Sequence, residues 1–442
     1  MKHLYLPVSA TAPLSIRSDH GQEGATTTYA IPGTTVLGSL AAAHRMLRPE
    51  NDEEFSRFFL NERVSMPYLY PASFKMDRFQ KSNLPVMPLP KTAQTCKRFS
   101  GFRPLRGADP GEDPDKKGHG IRDSLFDWAV FSLLRAEEQA IPALLTVLEA
   151  HKECAYTGSS AERCGQTMDH ATGYYRRDRS HPEQRMMAQI ETHLQTRTGI
   201  NRTWGVVEEG ILYNREVFDE TMRFWGEIIL PDELSDTFMQ FLDEAVKEDV
   251  IRIGTGRTRG LGRVEITKLP LPEAQREELA SFEQRLQRFN NALRQQAQVA
   301  GVKTQYDFYF AITLRSATIL CDKFLRYCTT LEADTFASEL NRATLEADTL
   351  ASEQQPGTFE KLYQATETQR ITGWNELWGT PRPNYHALAM GSTFLFACTH
   401  PLDGNLLQAL YTLEETGLGR RRAEGFGRIC ISDPFHLEGE QA

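Results

Sequence analysis

Hydrophobic and polar residues alternate along several short segments of this chain, which is the pattern of β-strands. This alternation predicts a first strand within residues 3–16, although Pro7 and Pro13 place that strand at a sheet edge or interrupt it. The same reasoning predicts further strands at residues 204–213, 222–230, 264–267, 306–314, 394–397 and 428–431.

Hydrophobic residues spaced three and four positions apart predict helices between these strands. A helix at 36–47 follows Thr34 and Thr35, either of which can cap its N-terminus, and Pro49 ends it. Other helices are predicted at residues 121–151, 231–246, 272–300 and 402–416. The segment 272–300 has one apolar face, formed by Leu279, Phe282, Leu286, Phe289 and Leu293.

The chain is too long for one ordinary hydrophobic core. Its 442 residues favour two domains of roughly 150–200 residues each, with insertions. Residues 71–198 are richer in Pro, Gly and charge, which predicts an inserted region with its own helices. The segment at 331–339 recurs at 345–353, and two copies are too few for a solenoid. We interpret this repeat as a local duplication within an exposed, acidic helical insertion.

Composition narrows the possible partners. The net charge of −9 argues against indiscriminate nucleic-acid binding, because a protein held only by phosphate neutralisation is usually basic, so any RNA contact must be local. No apolar run is long enough to cross a bilayer, and seven cysteines without framework spacing suit a reducing compartment. We therefore expect a cytoplasmic protein without membrane contact.

Two loops concentrate glycine and arginine. The first glycine loop (residues 254–263) reads GTGRTRGLGR, and the second glycine loop (residues 419–428) reads GRRRAEGFGR. Aligning Gly256 with Gly419 gives a shared Gly-Arg-x-Arg followed by Gly-apolar-Gly-Arg, with a two-residue insertion in the second loop. Each loop lies between a predicted helix and a predicted strand, so the chain looks internally duplicated.

Glycine and arginine in this combination suit a phosphate backbone. Glycine permits positive φ and close approach, converging N–H groups bind phosphate oxygens, and arginine binds phosphate through two parallel hydrogen bonds. A dinucleotide or Walker loop follows a strand and opens a helix, whereas these loops follow a helix and open a strand, which excludes that class. A tight structural turn with solvated arginines is the alternative.

Four further motifs accompany the loops: residues 31–40 (IPGTTVLGSL), 197–202 (RTGINR), 210–213 (GILY) and 378–383 (WGTPRP). With them, the chain resembles the RAMP superfamily of CRISPR effector proteins. It is most similar to the type III-D effector subunits called Csx-ten, which are related to the Cas-five group.

The resemblance implies an α+β fold with two RRM-like (ferredoxin-like) domains, each with a C-terminal glycine-rich loop, and a large insertion in the first. The first domain would comprise 1–70 and 199–270, the insertion 71–198, a helical linker 271–304, and the second domain 305–442 with an acidic helical insertion at about 329–360.

The resemblance also implies a subunit of a type III antiviral complex that binds guide crRNA, near its 5′ handle, in contact with target RNA and other effector subunits. The residues that would contact RNA are Gly254, Gly256, Arg257, Arg259, Gly260, Gly262, Arg263, Gly419, Arg420, Arg421, Arg422, Gly425, Gly427, Arg428, Arg202, His44 and Arg45. A protein-interaction module without RNA affinity remains an alternative.

Catalysis is less favoured than scaffolding. RNA-cleaving relatives use an aspartate in the loop before the Ile-Pro-Gly motif, but here the nearest one, Asp19, lies well before that loop. A crRNA-processing, metal-independent endoribonuclease would need a general base, for which His20 and His44 are available.

Cysteines in the insertion suggest a metal site. Cys154 and Cys164, with Cys96 upstream and His170 or His151 nearby, can supply a tetrahedral structural zinc site, although no Cys-x-x-Cys pair is present and free cysteines are the alternative. The set taken forward is Cys96, Cys154, Cys164 and His170.

Overall fold

A computed structural model describes most of the chain. It covers residues 1–17, 29–81, 84–104, 118–136, 152–157, 162–178, 181, 183–200, 203–204, 207–266, 277–346, 358–375 and 379–437.

The helices and strands of these residues form a mixed α+β structure with several small antiparallel sheets. The helices are α1 (Gly33–Leu47), α2 (Asp52–Phe59), α3 (Asp77–Gln80), α4 (Leu125–Ala136), α5 (Asp232–Lys247), α6 (Leu279–Val299), α7 (Ala333–Glu346) and α8 (Gly404–Thr416). The strands are β1 (Lys2–Ala10), β2 (Tyr70–Pro71), β3 (Met87–Pro88), β4 (Ala93–Cys96), β5 (Ile121–Asp123), β6 (Met168–His170), β7 (Tyr174–Arg177), β8 (Arg185–Met187), β9 (Thr192–Ile200), β10 (Val207–Phe218), β11 (Arg223–Leu230), β12 (Val264–Ile266), β13 (Phe308–Leu314), β14 (Phe359–Ala365), β15 (Thr368–Ile371), β16 (Trp374–Asn375), β17 (Thr380–Pro381), β18 (Tyr385–Leu388), β19 (Thr393–Cys398) and β20 (Ile429–Ile431).

Two four-stranded antiparallel sheets organise the two halves of the chain. The first sheet has the strand order β12-β1-β11-β2, and the second has the order β14-β19-β13-β20. In each half a helix follows the first of these strands and another precedes the last, namely α1 and α5 in the first half and α7 and α8 in the second. The two sheets therefore have the same topology.

The first sheet has one face against helices and the other against the second half. Alternate residues of β1, from Leu4 to Ala10, are buried in one cluster with residues of α1 and α5. On the opposite face, Tyr5 and Trp225 belong to a cluster that includes Ile319 and Phe426 of the second half. The packing of this sheet thus joins the two halves.

Helix α6, within the segment expected to be a helical linker, packs into the second core. Four of the five residues predicted to form its apolar face are fully buried, and they contact the second sheet: Phe282, Leu286, Phe289 and Leu293. Phe289 and Leu293 of α6, together with α4, cover the face of β13 that α7 and α8 do not, so the second sheet is enclosed on both sides.

The structure corrects three expectations about local elements. Helix α1 begins at Gly33, so Thr34 and Thr35 lie inside it and neither caps it. Between residues 71 and 198 the described residues form mainly short strands, with α4 as the longest helix, because the apolar positions there serve two small three-stranded sheets. The first repeat copy belongs to α7, where Phe336 and Leu340 are fully buried, so it is not an exposed insertion.

No helix among the described residues is long and apolar enough to cross a membrane.

Candidate nucleic-acid interface and metal site

The first glycine loop is a compact turn that presents arginines to solvent. Its four glycines, Gly254, Gly256, Gly260 and Gly262, all have positive φ, which glycine alone adopts without strain. A short 3-10 turn, Arg257–Arg259, lies between the left-handed residues Gly256 and Gly260. Both arginine side chains of that turn are exposed.

The two glycine loops make the same backbone hydrogen bonds in their own halves. The Thr255 N–H donates to the Ser15 carbonyl, and the Arg420 N–H donates to the Ile319 carbonyl, each at 3.0 Å. Likewise the Gly262 N–H donates to Pro13 and the Gly427 N–H to Ala317, at 3.1 and 2.9 Å. Because these bonds match pair by pair, the two loops are structurally equivalent.

This equivalence corrects the sequence alignment. It pairs Gly254 with Gly419 and Thr255 with Arg420, so the loops have equal length and the two-residue insertion is wrong. Arg421 then occupies the place of Gly256, and it has the same left-handed conformation, with φ of 57° against 80°. The sequence alignment matched arginine with arginine and so missed the equivalence of Arg421 and Gly256.

An arginine cluster surrounds the first loop. Arg259 donates to the Tyr213 hydroxyl at 2.9 Å, and Arg197 donates to the Arg259 carbonyl at 3.4 Å. Among the described residues, no acidic side chain forms an ion pair with any member of this cluster. We define the loop-one arginine cluster as Arg17, Arg197, Arg215, Arg257 and Arg259.

Arg215 is the buried member of this cluster. Its side chain comes from β10, it is 5% exposed, and its Nε and Nη1 have no hydrogen-bond partner among the described residues. Burial lowers the pKa of Arg215, and repulsion from Arg17, Arg197 and Arg259 lowers it further. Like charges held together without a carboxylate make a local positive potential that favours an anion.

Close packing explains one glycine of the loop. A Cβ on Gly256 would lie 3.0 Å from Nη1 of Arg215, so glycine leaves room for that guanidinium. The base of the loop is different, because Arg252 and Arg263 both pair with Asp249. Arg263 is therefore partly neutralised, whereas Arg257 and Arg259 are not.

The second glycine loop joins the two halves. The Met66 N–H donates to the Ala423 carbonyl at 2.9 Å, and the Ser65 hydroxyl donates to the Arg422 carbonyl at 2.7 Å. A Cβ on Gly33 would lie 2.3 Å from the Glu424 carbonyl oxygen, and one on Gly425 would lie 2.6 Å from that of Met66. The glycine of the Ile-Pro-Gly motif and this loop are therefore in direct backbone contact. We call this contact the loop-two joint.

Most arginines of the second loop have internal partners. Arg421 forms a bidentate pair with Glu424 and lies over the rings of Tyr385 and Phe426. Arg422 pairs with Glu346 at 3.0 Å. Burial lowers the pKa of Arg428, near Glu227. Only the exposed Arg420 resembles the arginines of the first loop, and Gly419, Gly425 and Gly427 are in contact with neighbouring backbone.

Helix α1 places its two candidate residues differently. His44 is fully buried, its Nε2 lies 2.9 Å from Glu54, and its ring contacts Phe55, Phe58, Phe59 and Phe241. His44 lines no surface groove in this structure, because it lies on the apolar face of α1 that packs into the core. Arg45 is exposed but pairs with Asp52. Arg202, His20 and His151 lie outside the described residues.

Three of the predicted metal ligands lie together, with a different histidine. Donor atoms of Cys96, His119, Cys154 and Cys164 all lie within 4.8 Å of one another, which makes a mostly buried cluster that could hold a metal ion. His170 is wrong as the fourth member, because its side chain is exposed on β6. Burial raises the pKa of the Cys154 thiol above its ordinary value.

The sequence reasoning missed Arg17, Arg215 and His119, and it included Arg197 only as part of the motif at residues 197–202. That Arg197 and Arg215 lie beside the first loop follows only from strand register. Arg197 pairs with Tyr213, and Arg215 pairs with Gln195, across β9 and β10. His119 has no spacing signal relative to the cysteines. The one sequence feature that could have indicated His119 is its position between Gly118 and Gly120, directly before β5.

The sequence profile of the RAMP superfamily matches residues 10–265, which is more than half of the 442-residue chain. The chain therefore belongs to the RAMP superfamily. No curated protein sequence matches it.

Several solved structures are similar at low sequence identity. A chain of the type III-B Cmr-beta complex bound to cognate target RNA is 10% identical, with a TM-score of 0.38 and 96% of each chain covered. A chain of the Csm3-Csm4 subcomplex of the type III-A CRISPR-Cas interference complex is 12% identical, with a TM-score of 0.33, covering 91% of this chain and 98% of that one. A chain of a Cas6 product complex is 10% identical, with a TM-score of 0.29, covering 54% and 84%. Because these TM-scores lie below 0.5, the family assignment rests on the sequence profile.

Proposed function

We propose that this protein is a non-catalytic RNA-binding subunit of a type III CRISPR effector complex and that it binds guide crRNA through the first glycine loop. The observation that carries this proposal is the loop-one arginine cluster. It holds five arginines without an acidic partner among the described residues. They lie beside a loop whose four glycines have positive φ.

A nucleic-acid backbone suits this cluster better than a small anion. Arg257 and Arg259 are exposed on the turn, Arg17 is exposed on the adjoining segment, and Arg197 lies on the long β9–β10 hairpin. Several separated guanidinium groups match phosphates repeated along a strand, and each can form paired hydrogen bonds. The overall acidity of the protein then confines RNA to this surface.

We further infer that each four-stranded sheet with its two helices is a ferredoxin-like, RRM-like domain. The order of strands and helices in both halves is the βαββαβ order of that motif. The matching loop hydrogen bonds support an internal duplication in which the first loop binds RNA and the second forms the loop-two joint. Exposed Arg420 remains a second RNA contact in this proposal.

The motifs that resemble type III-D Csx-ten subunits of the Cas-five group support a place near the 5′ handle of the guide. There the subunit would contact crRNA, other type III effector subunits and, in the assembled complex, target RNA. The burial of His44 disfavours the rival endoribonuclease, since a general base must reach the proton that it removes.

The test compares two double variants of equal charge. Arg257→Ala with Arg259→Ala removes two exposed cluster arginines, and Arg57→Ala with Arg288→Ala removes two exposed arginines from α2 and α6. Binding of single-stranded repeat RNA is measured across a salt series. The slope of log affinity against log salt falls by about 0.7 for each phosphate that the variant no longer neutralises.

We expect the loop variant to bind RNA more weakly with a shallower slope, and the control to behave like the wild type. Unchanged binding in the loop variant would favour a protein-interaction module without RNA affinity. Site-specific cleavage of repeat RNA by the wild-type protein would instead support the endoribonuclease.

A further inference from the structure

Four side chains from distant parts of the insertion converge on one point, away from the arginine cluster. Cys96 ends β4, His119 lies just before β5, and Cys154 and Cys164 lie on opposite strands of a hairpin. Backbone hydrogen bonds hold the hairpin, among them those from the Cys154 N–H to the Gln166 carbonyl and from the Cys164 N–H to the Tyr156 carbonyl, at 2.7 and 2.8 Å. Pairing of β4 with β5 and β6 sets the other two residues beside it.

We propose that these four residues bind a structural Zn²⁺ ion as a tetrahedral Cys₃His site. Tetrahedral Zn²⁺ with bonds of about 2.3 Å to sulfur and about 2.0 Å to nitrogen places two sulfurs about 3.8 Å apart and a sulfur and a nitrogen about 3.5 Å apart. Here the sulfurs of Cys96 and Cys164 are 4.0 Å apart, and the Cys154 sulfur lies 3.4 Å from Nδ1 of His119. These two distances are close to those of a tetrahedral site, and all four donor atoms lie within 4.8 Å of one another.

The imidazole is held in a fixed orientation. Its ring stacks between Phe99 and Tyr156, with ring centroids 4.4 and 4.1 Å away. The backbone N–H of His119 donates to the Phe99 carbonyl at 3.0 Å. Stacking on Phe99 and Tyr156 restricts the plane of the imidazole, and Nδ1 in that plane lies 3.4 Å from the Cys154 sulfur.

A disulfide is the competing chemistry for these cysteines. Zinc would use all three sulfurs and the imidazole nitrogen, whereas a Cys96–Cys164 disulfide would leave Cys154 and His119 outside the bond. The thiols are free here, and the separation of the Cys96 and Cys164 sulfurs is about twice a disulfide bond. Zinc also suits a site with no open position and three thiolates, which defines a structural rather than a catalytic site.

The ion would join segments that have little core of their own. The hydrophobic cluster around this sheet contains few residues: Met87, Leu89, Ala93, Phe102, Ile121, Ala171, Tyr175 and Phe435. Small units of this kind commonly rely on a metal for stability.

The experiment measures zinc by elemental analysis in the full-length protein, purified without chelator in zinc-containing medium. We expect one zinc per chain in the wild type. His119→Gln and Cys164→Ser should lose most of it, and the matched control His170→Gln should keep it. Co²⁺ exchanged into the wild type should give the absorption of a tetrahedral thiolate complex, and His119→Gln should not.

Zinc-free wild-type protein, or His119→Gln with full zinc content, would overturn the proposal. A Cys96–Cys164 disulfide found by mass spectrometry of the native protein would also overturn it. Whether the protein binds zinc is decided by the zinc content of the wild type, so the test does not depend on whether each variant folds. The site stands or falls independently of RNA binding.

Discussion

Replacing Gly33 by alanine should destabilise the protein, even though alanine is the better helix residue. The new Cβ would lie 2.3 Å from the Glu424 carbonyl oxygen and 2.8 Å from its carbon. Both atoms are backbone, so the second glycine loop must move by about 1 Å to restore ordinary contact. That movement pulls on the hydrogen bonds of the loop-two joint.

The magnitude follows from these contacts. Overpacking of a tight contact costs about 1–3 kcal/mol, and each of the two joint hydrogen bonds contributes about 1 kcal/mol. Alanine in place of glycine returns at most about 1 kcal/mol in helix propensity. We therefore expect Gly33→Ala to lower the free energy of unfolding by about 2–4 kcal/mol.

Gly38 in the same helix provides the control. It is exposed, and a Cβ there would meet nothing within 4 Å. Gly38→Ala should raise the free energy of unfolding by up to about 1 kcal/mol. Urea denaturation followed by circular dichroism compares the two variants. If Gly33→Ala stabilises the protein as much as Gly38→Ala does, the loop-two joint does not contribute as described.

Two further predictions concern His3 and His44. Burial by itself lowers the pKa of His3, but its carboxylate neighbours Glu227 and Glu415 outweigh burial and raise it to about 9. Because the folded value exceeds the unfolded one, this stabilisation is complete below pH ~6.5 and is lost as pH rises through about 9. The thermal midpoint should fall across that window in the wild type and stay flatter in His3→Gln; equal slopes would refute this. His44→Ala should lower the free energy of unfolding by about 2–4 kcal/mol through lost packing, with RNA binding unchanged below the melting temperature. A folded His44→Ala protein with weakened RNA binding would contradict the core position of this residue.

Local periodicity predicted many helices and strands closely. The helix expected at 231–246 is found as Asp232–Lys247, and the strand expected at 222–230 is found as Arg223–Leu230. In both cases the buried face is set by residues close in sequence, and short-range spacing reports that face directly. The repeat in α7 failed this reasoning because its acidic residues suggested a solvated insertion, whereas Phe336 and Leu340 determine its burial.

The candidate site was harder, because its parts meet only in three dimensions. Cys154 and Cys164 are close in sequence and drew attention to His170, yet β6 directs that side chain to solvent. His119 reaches the cysteines through the pairing of β4 and β5, and spacing carries no information about it. The alignment of the glycine loops also needed the three-dimensional structure. Residue identity aligned Gly419 with Gly256, whereas the backbone hydrogen bonds show that Gly419 is equivalent to Gly254.

The loop-two joint also determines when the two halves can be fixed during synthesis. Gly33 and Gly425 are separated by nearly the whole described chain, so no ribosome-bound fragment ending before the second loop can form the contact. Until then, the surface of the first half formed by Gly33, Met66 and Tyr68 is uncovered. A nascent chain should therefore depend on the emergence of the second glycine loop from the ribosome to protect that surface, and premature termination before residue 425 should leave a first half that is prone to association.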